Sequence, residues 1–174
     1  RVDRRQRQMC IRDSEELENK LKKFLNKPKK VAIIGVGSEF RGDDYVGMEI
    51  CKRLKSKIPS KVAIIESGTS PENFTGKLRR IRPSHIIVID AADMDAEPGT
   101  IRIIDSSNID GLSISTHRIP LSLFIDYLKK NIDVSIAFIG IQPKSTGFGE
   151  PLSPELEEVV VNLSKVLKKV LHEV

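Results

Sequence analysis

Apolar residues in this chain occur either in short continuous runs or in stripes that recur every three or four positions. The continuous runs are rich in Val and Ile and predict buried strands at residues 31–36, 62–66, 85–89, 100–105 and 134–141. The stripes predict helices at residues 15–26, 44–55, 71–81, 121–128 and 154–170. Strands that alternate with helices indicate an α/β fold, a three-layer α/β/α sandwich around a twisted, mostly parallel five-stranded sheet.

Cap and turn residues set the expected ends of these elements. Ser14, Ser70 and Ser153 stand where helix N-caps are expected, and Pro71 and Pro154 suit the first helical position. One connection breaks the alternation, because about ten residues without helical periodicity join the third and fourth strands, which is too short for a parallel crossover. We therefore expect the fourth strand to run antiparallel.

Composition separates the first 14 residues from the remainder. RVDRRQRQMCIRDS is polar and rich in Arg, and we interpret residues 1–14 as a non-native or disordered tail and residues 15–174 as a single domain. The tail holds five Arg and two Asp, so the 29 basic and 24 acidic residues of the whole chain fall to 24 and 22. The net charge drops from +5 to +2, which removes the main argument for nucleic-acid binding.

Cysteine content and hydropathy bear on the compartment. Cys10 and Cys51 are too few for a disulfide framework or a four-ligand zinc site, which favours a reducing environment. No apolar run approaches the roughly 20 residues that span a bilayer, and the N-terminus lacks the apolar segment of a signal peptide. We expect a cytoplasmic protein that does not contact membranes.

The loop after the first strand is the first candidate for chemistry. Gly35 and Gly37 break the strand, and two adjacent carboxylates, Asp43 and Asp44, follow before the next helix. In open α/β sheets, ligands bind in loops beyond the carboxyl ends of strands. This loop is therefore where we expect the active site.

Two further residues extend this candidate site. Asp90 ends the third strand, and a Ser-rich loop carries His117. Two carboxylates and one imidazole can bind zinc, nickel or manganese and leave positions open for a substrate. Each residue also has a structural explanation, since Asp44 suits a helix N-terminus, Asp90 a loop cap and His117 a hydrogen-bonded loop. Spacing alone leaves both interpretations open.

A nucleotide site is the main alternative for the glycine pair. Gly35 and Gly37 follow a strand, and Glu66 stands where a ribose-binding acid would lie. However, Phe40 occupies the place of the third glycine, and the carboxylates at residues 43 and 44 would repel a pyrophosphate. The nucleotide interpretation is accordingly weak.

Five blocks along the chain carry a more specific pattern. In order, they are GVGSEFRGDDYVG, ESGTSPENF, HIIVIDAADMDAEPGTI, STHRIPL and IGIQPKSTGFGEPLSPE. Together these blocks resemble the [NiFe]-hydrogenase maturation endopeptidases over roughly residues 30–172. Asp44, Asp90 and His117 match the positions of that family's metal-contacting acid, acid and histidine.

The resemblance implies both a function and a partner. Such an endopeptidase recognises nickel installed in the precursor of a [NiFe]-hydrogenase large subunit and removes its C-terminal extension. Asp44, Asp90 and His117 would be both the catalytic and the metal-contacting residues. The substrate supplies the nickel, so no permanently bound cofactor is expected, and a monomer would act on the larger partner.

The sequence alone leaves several points open. Water could be activated by the metal or by Asp44 or Asp90 as general base. A non-catalytic, nickel-dependent checkpoint protein for the same precursor would use the same residues. Gly68, Thr69 and residues 143–149 are candidates for gripping the extended tail. Residues 38–41, SEFR, depart from the family's usual Asn and Leu and put the choice of substrate in doubt.

Overall fold

The computed structural model describes the backbone of residues 4–56, 58–105 and 121–174, and side chains within residues 14–56, 58–104 and 123–174. Five helices and five strands lie in these ranges. The helices are α1 Arg4–Phe24, α2 Val46–Leu54, α3 Thr75–Ile81, α4 Leu121–Asn131 and α5 Pro154–Glu173. The strands are β1 Val31–Val36, β2 Val62–Gly68, β3 His85–Ala91, β4 Ile101–Asp105 and β5 Ser135–Ile141.

The strands form one mixed sheet in the order β2-β1-β3-β5-β4. The pairs β1–β2, β1–β3 and β3–β5 are parallel, whereas β4 pairs antiparallel with β5 at the sheet edge. The predicted α/β fold, with its antiparallel fourth strand, is confirmed. The short β3–β4 connection explains the reversal, because it cannot carry the chain back across the sheet.

Successive residues of each strand point to opposite faces of the sheet and belong to two separate apolar layers. On one face, Ile33, Ile87 and Ile139 pack with α1, α2 and α5, and the buried residues of those helices include Leu21, Ile50 and Leu163. On the other face, Ile34, Val88 and Phe138 pack with residues of α3 and α4, such as Leu78 and Leu128. Burial of strand residues on both faces explains why the strands read as continuous apolar runs.

Three helix starts differ from the sequence-based boundaries. Helix α1 begins at Arg4 and not after Ser14, which therefore lies inside the helix and does not cap it. A 3-10 turn, Gly42–Tyr45, precedes α2, and another, Pro71–Phe74, precedes α3. The interpretation of residues 1–14 as a tail outside the domain stays a prediction.

Candidate active site

The strand order creates a crevice at one edge of the sheet. From β1 the chain continues to β2 on one side and reaches β3 on the other, so the order reverses between β1 and β3. At such a switch point the connections leave in opposite directions, and the gap above the carboxyl ends of the two strands is the usual ligand site. Asp44 lies in the connection after β1, and Asp90 is the second-last residue of β3.

Glycines allow helix α2 to approach the sheet directly beneath this crevice. A Cβ on Gly47 would lie 2.2 Å from the Ile89 carbonyl oxygen and 2.6 Å from that of Val36. A Cβ on Gly35 would lie 2.3 Å from the Gly47 carbonyl oxygen. Glycine is unfavourable inside a helix, so Gly47 in the sequence predicts a close approach to the sheet, and the structure confirms it. This contact fixes the start of α2 against both β1 and β3.

The loop after β1 folds back to hold Asp44. Gly37 has a φ of 136°, and a Cβ there would lie 1.7 Å from the Asp44 carbonyl oxygen, so only glycine fits. The Ser38 backbone N–H donates to Asp44 Oδ2 at 2.8 Å. Asp44 is 3% exposed, and its 3-10 turn contacts β3. The fold thus orients this carboxylate at the switch point.

Asp90 belongs to the central strand itself. It pairs with Gly140 of β5 and lies one residue beyond the last β1–β3 pair, Gly35 with Ile89. A carboxylate at a strand end predicts a position outside the core, but this prediction is wrong, because Asp90 is buried at 1% exposure. Strands β1 and β5 lie on either side of β3 and cover Asp90. This covering depends on the strand order, which the position of a residue at the end of a strand does not reveal.

Asp43 has a different role from its neighbour. Its carboxylate, which is fully buried, accepts hydrogen bonds from the backbone N–H groups of Lys144, Ser145 and Ser153 at 2.8, 3.1 and 2.7 Å. The Ser153 hydroxyl adds a fourth bond at 2.9 Å to Asp43 Oδ2. This hydroxyl is therefore engaged and does not cap α5, although Ser153 stands at the predicted N-cap. Asp43 clamps the loop after β5 to the loop after β1.

Gln142 organises the segment that follows Asp90. Its side-chain carbonyl accepts the Met94 N–H at 2.6 Å, and its amide donates to Asp93 Oδ1 at 3.3 Å. The segment AADMDAEPG is typical of a surface loop and predicts an exposed Met94, but this prediction is wrong, because Met94 is buried with its sulfur over Gly140. The sequence did not reveal the structural roles of Gln142 and Asp43, since these partners lie 48 to 110 positions away.

Two other candidate groups have structural partners. Glu66, the candidate ribose-binding acid, forms an ion pair with Lys55 at 2.6 Å. Burial, together with the nearby Glu66 carboxylate, raises the pKa of the Cys51 thiol to about 12. The position of Cys51 on the apolar stripe of a helix predicts a buried thiol and not a nucleophile, and its neutrality at physiological pH supports that prediction.

The described side chains of the crevice provide only some of the ligands that a hard or borderline metal ion needs. Within the described ranges, no group of three or more His, Cys, Asp or Glu side chains could hold a metal ion. Asp44 and Asp90 offer carboxylate oxygens, and His117 lies outside the described residues. The predicted three-residue site therefore stays a prediction, with two of its members placed at the switch point.

The doubly wound sheet, with buried acids at its switch point, is typical of α/β proteins that bind ligands in the crevice above the strand ends. The model of the HycI hydrogenase maturation protease family matches residues 48–171. The chain belongs to this family, and it is a peptidase.

Relatives agree with this assignment. Hydrogenase 3 maturation protease of Escherichia coli is 34% identical over 129 residues, which cover 74% of this chain and 82% of the relative. The crystal structure of a [NiFe] hydrogenase maturation protease, HycI, from Thermococcus kodakarensis has a TM-score of 0.82 at 31% identity. It covers 87% of this chain and 98% of the other. The solution structure of the endopeptidase HycI from Escherichia coli has a TM-score of 0.72 at 32% identity, covering 80% and 90%.

Proposed function

We propose that this protein is an endopeptidase that removes the C-terminal extension from the nickel-loaded precursor of a [NiFe]-hydrogenase large subunit. The observation that carries the proposal is the placement of Asp44 and Asp90 at the switch point of a chain that belongs to the HycI family. The Escherichia coli relative is named for the maturation of hydrogenase 3, which supports a hydrogenase precursor as the substrate class.

Nickel enters this proposal as part of the substrate. Asp44, Asp90 and His117 contact the nickel that the precursor already carries, so the metal serves as a recognition element. Carboxylate and imidazole groups are suitable ligands for nickel and leave positions open for the substrate's own ligands. A precursor without nickel lacks these contacts and is not processed.

Hydrolysis of the tail needs one activated water. Asp44 or Asp90, as general base, takes a proton from the water that attacks the scissile carbonyl, or the substrate's nickel polarises that water or carbonyl. The C–N bond then breaks, and the proton goes to the departing amine. The products are a new C-terminal carboxylate on the hydrogenase subunit and a free peptide.

The carboxyl end of β2, at Gly68, offers space for the tail. A Cβ on Gly68 would meet nothing within 4 Å. The Gly68 N–H points to Met48 Sδ at 3.3 Å, and its carbonyl accepts the Gly37 N–H at 2.9 Å. The backbone polar groups of Gly68 are therefore already engaged, and this residue provides space for an extended chain. Thr69 is the adjacent candidate for a polar contact.

The remaining features of the proposal concern setting and assembly. We propose a cytoplasmic monomer that works on its precursor without nucleic acid. In the part of the chain that the structure describes, no helix is both long enough and apolar enough to cross a membrane.

The test is intact-mass analysis of a hydrogenase large-subunit precursor incubated with this protein, with and without nickel. We expect loss of one C-terminal peptide in the nickel-loaded sample only. Equal cleavage of both samples would refute the recognition role of nickel. A stable complex of unchanged mass would instead identify a non-catalytic checkpoint protein.

A further inference from the structure

Two phenylalanine side chains near the crevice face solvent. Phe40 is 60% exposed and Phe148 is 81% exposed. Single exposed apolar residues are common on protein surfaces and need no explanation. These two residues differ because they come from separate loops that the fold fastens together, one after β1 and one after β5.

Backbone hydrogen bonds join the two loops side by side. The Gly149 N–H donates to the Phe40 carbonyl at 2.8 Å, so the residue after Phe148 is bonded directly to Phe40. The Gly42 N–H donates to the Glu150 carbonyl at 3.1 Å, and the Asp43 N–H donates to the Ser145 carbonyl at 2.9 Å. The two aromatic residues, hereafter the aromatic pair, therefore sit on one continuous surface.

Side chains make this surface rigid. The Asp43 carboxylate holds residues 144, 145 and 153, as described above. The Ser145 hydroxyl donates to the Glu150 carboxylate, which packs over Gly147. Since the backbone beneath the aromatic pair is fixed before any partner arrives, binding there would lose little conformational entropy.

The aromatic pair adjoins the proposed site. The Asp44 N–H donates to the Arg41 carbonyl at 3.0 Å, so the turn that carries Asp44 begins directly after Phe40. Exposed Glu39 and Arg41 flank Phe40 with opposite charges, and this balance favours neither an acidic nor a basic partner. The large exposed apolar area on these two loops comes from Phe40 and Phe148.

We propose that Phe40 and Phe148 are substrate-binding residues that dock apolar side chains of the hydrogenase precursor beside its scissile bond. Aromatic side chains at the edge of a site provide large contact area and are enriched among residues that dominate binding. The inference rests on the proposed function, because it takes the precursor as the occupant. In this proposal the aromatic pair provides binding affinity for the precursor, whereas Asp44 and Asp90 take part in the hydrolysis.

The test compares wild type with the Phe40→Ala/Phe148→Ala double variant on the nickel-loaded precursor. We measure kcat and KM by intact mass, and the Kd by titration at low temperature. We expect KM and Kd to rise about tenfold, with kcat within about twofold, because truncation removes binding area but no reacting group. The Phe40→Leu/Phe148→Leu variant retains apolar area and should recover most of the affinity.

Tyr127→Ala is the matched control, since it removes another exposed aromatic side chain, on α4. It should leave both constants unchanged. A double variant with wild-type KM and Kd, or with only kcat reduced, would overturn the docking role. A concentration-dependent dimer lost in the double variant, with precursor binding unchanged, would assign the pair to self-association instead.

The same experiment separates the two proposals. Wild-type protein that binds the precursor without cleaving it refutes the endopeptidase function, while the Kd comparison still decides the role of the aromatic pair. Wild-type protein that neither binds nor cleaves overturns both.

Discussion

Adjacent aspartates in this protein have opposite roles. The Asp43 carboxylate accepts all of its described hydrogen bonds from a distant loop, whereas Asp44 lies at the switch point beside the strand that carries Asp90. The sequence indicated that this loop is important because it carries two carboxylates beyond the carboxyl end of a strand, where ligands bind in open α/β sheets. It could not separate the two residues, because the donors that engage Asp43 lie more than 100 positions away.

At the residue scale, Asp90→Asn tests the catalytic assignment. Asparagine retains the shape of the buried side chain but cannot take a proton, so we expect turnover of the precursor to fall about 100-fold or more. Thermal unfolding should shift by less than about 5 °C, since no cavity is created. The assay is the rate of peptide release, measured beside the thermal midpoint.

Asp93→Asn is the control for that experiment, because Asp93 follows Asp90 closely but is exposed. Its turnover should match that of wild type. A wild-type rate in Asp90→Asn would show that Asp90 does not act on the substrate.

At the scale of elements, the hydrophobic pattern predicted the positions of the strands better than the capping residues predicted the starts of the helices. Val and Ile runs located all five strands, because strands buried on both faces need apolar residues at every position. Ser14 and Ser70 do not cap helices, as α1 starts earlier and a 3-10 turn intervenes before α3. Local cap preferences are worth only about 1 kcal/mol, so packing can move a helix end past them.

Gly47→Ala tests the contact between α2 and the sheet. The added Cβ would meet two backbone carbonyl oxygens, which cannot move as a flexible side chain would, and we expect a loss of about 3 kcal/mol in the free energy of unfolding. Urea denaturation measures this loss. Gly76→Ala, in an exposed and open position of α3, should instead gain about 0.5–1 kcal/mol. Equal effects of the two substitutions would contradict the close packing.

At the scale of the whole molecule, Asp43→Asn tests the clamp between the first and last loops. The amide would direct an N–H₂ group at backbone donors, so we expect a loss of about 2–4 kcal/mol in unfolding free energy. Hydrogen exchange should become faster in residues 144–153. Asp126→Asn, on the exposed face of α4, provides the control and should change neither quantity. Unchanged exchange in the Asp43 variant would refute the clamp.

The class of fold and the edge of the sheet where we place the site could be predicted from the sequence, since both follow from the order of strands and helices. The clamp, the buried state of Asp90 and the joined loops below the aromatic pair could not be predicted. Each of these depends on contacts between distant segments, which periodicity and local motifs do not encode.

The Asp43 clamp also determines when the peptidase can become competent during its own synthesis. The carboxylate is made early, but its last donor, Ser153, emerges from the ribosome 110 residues later. Strand β5, which flanks β3 in the finished sheet, also belongs to this late part of the chain. A nascent chain that has not passed residue 153 therefore carries Asp44 and Asp90 without the architecture that surrounds them in the folded protein, and we expect no proteolytic activity before that residue has been made.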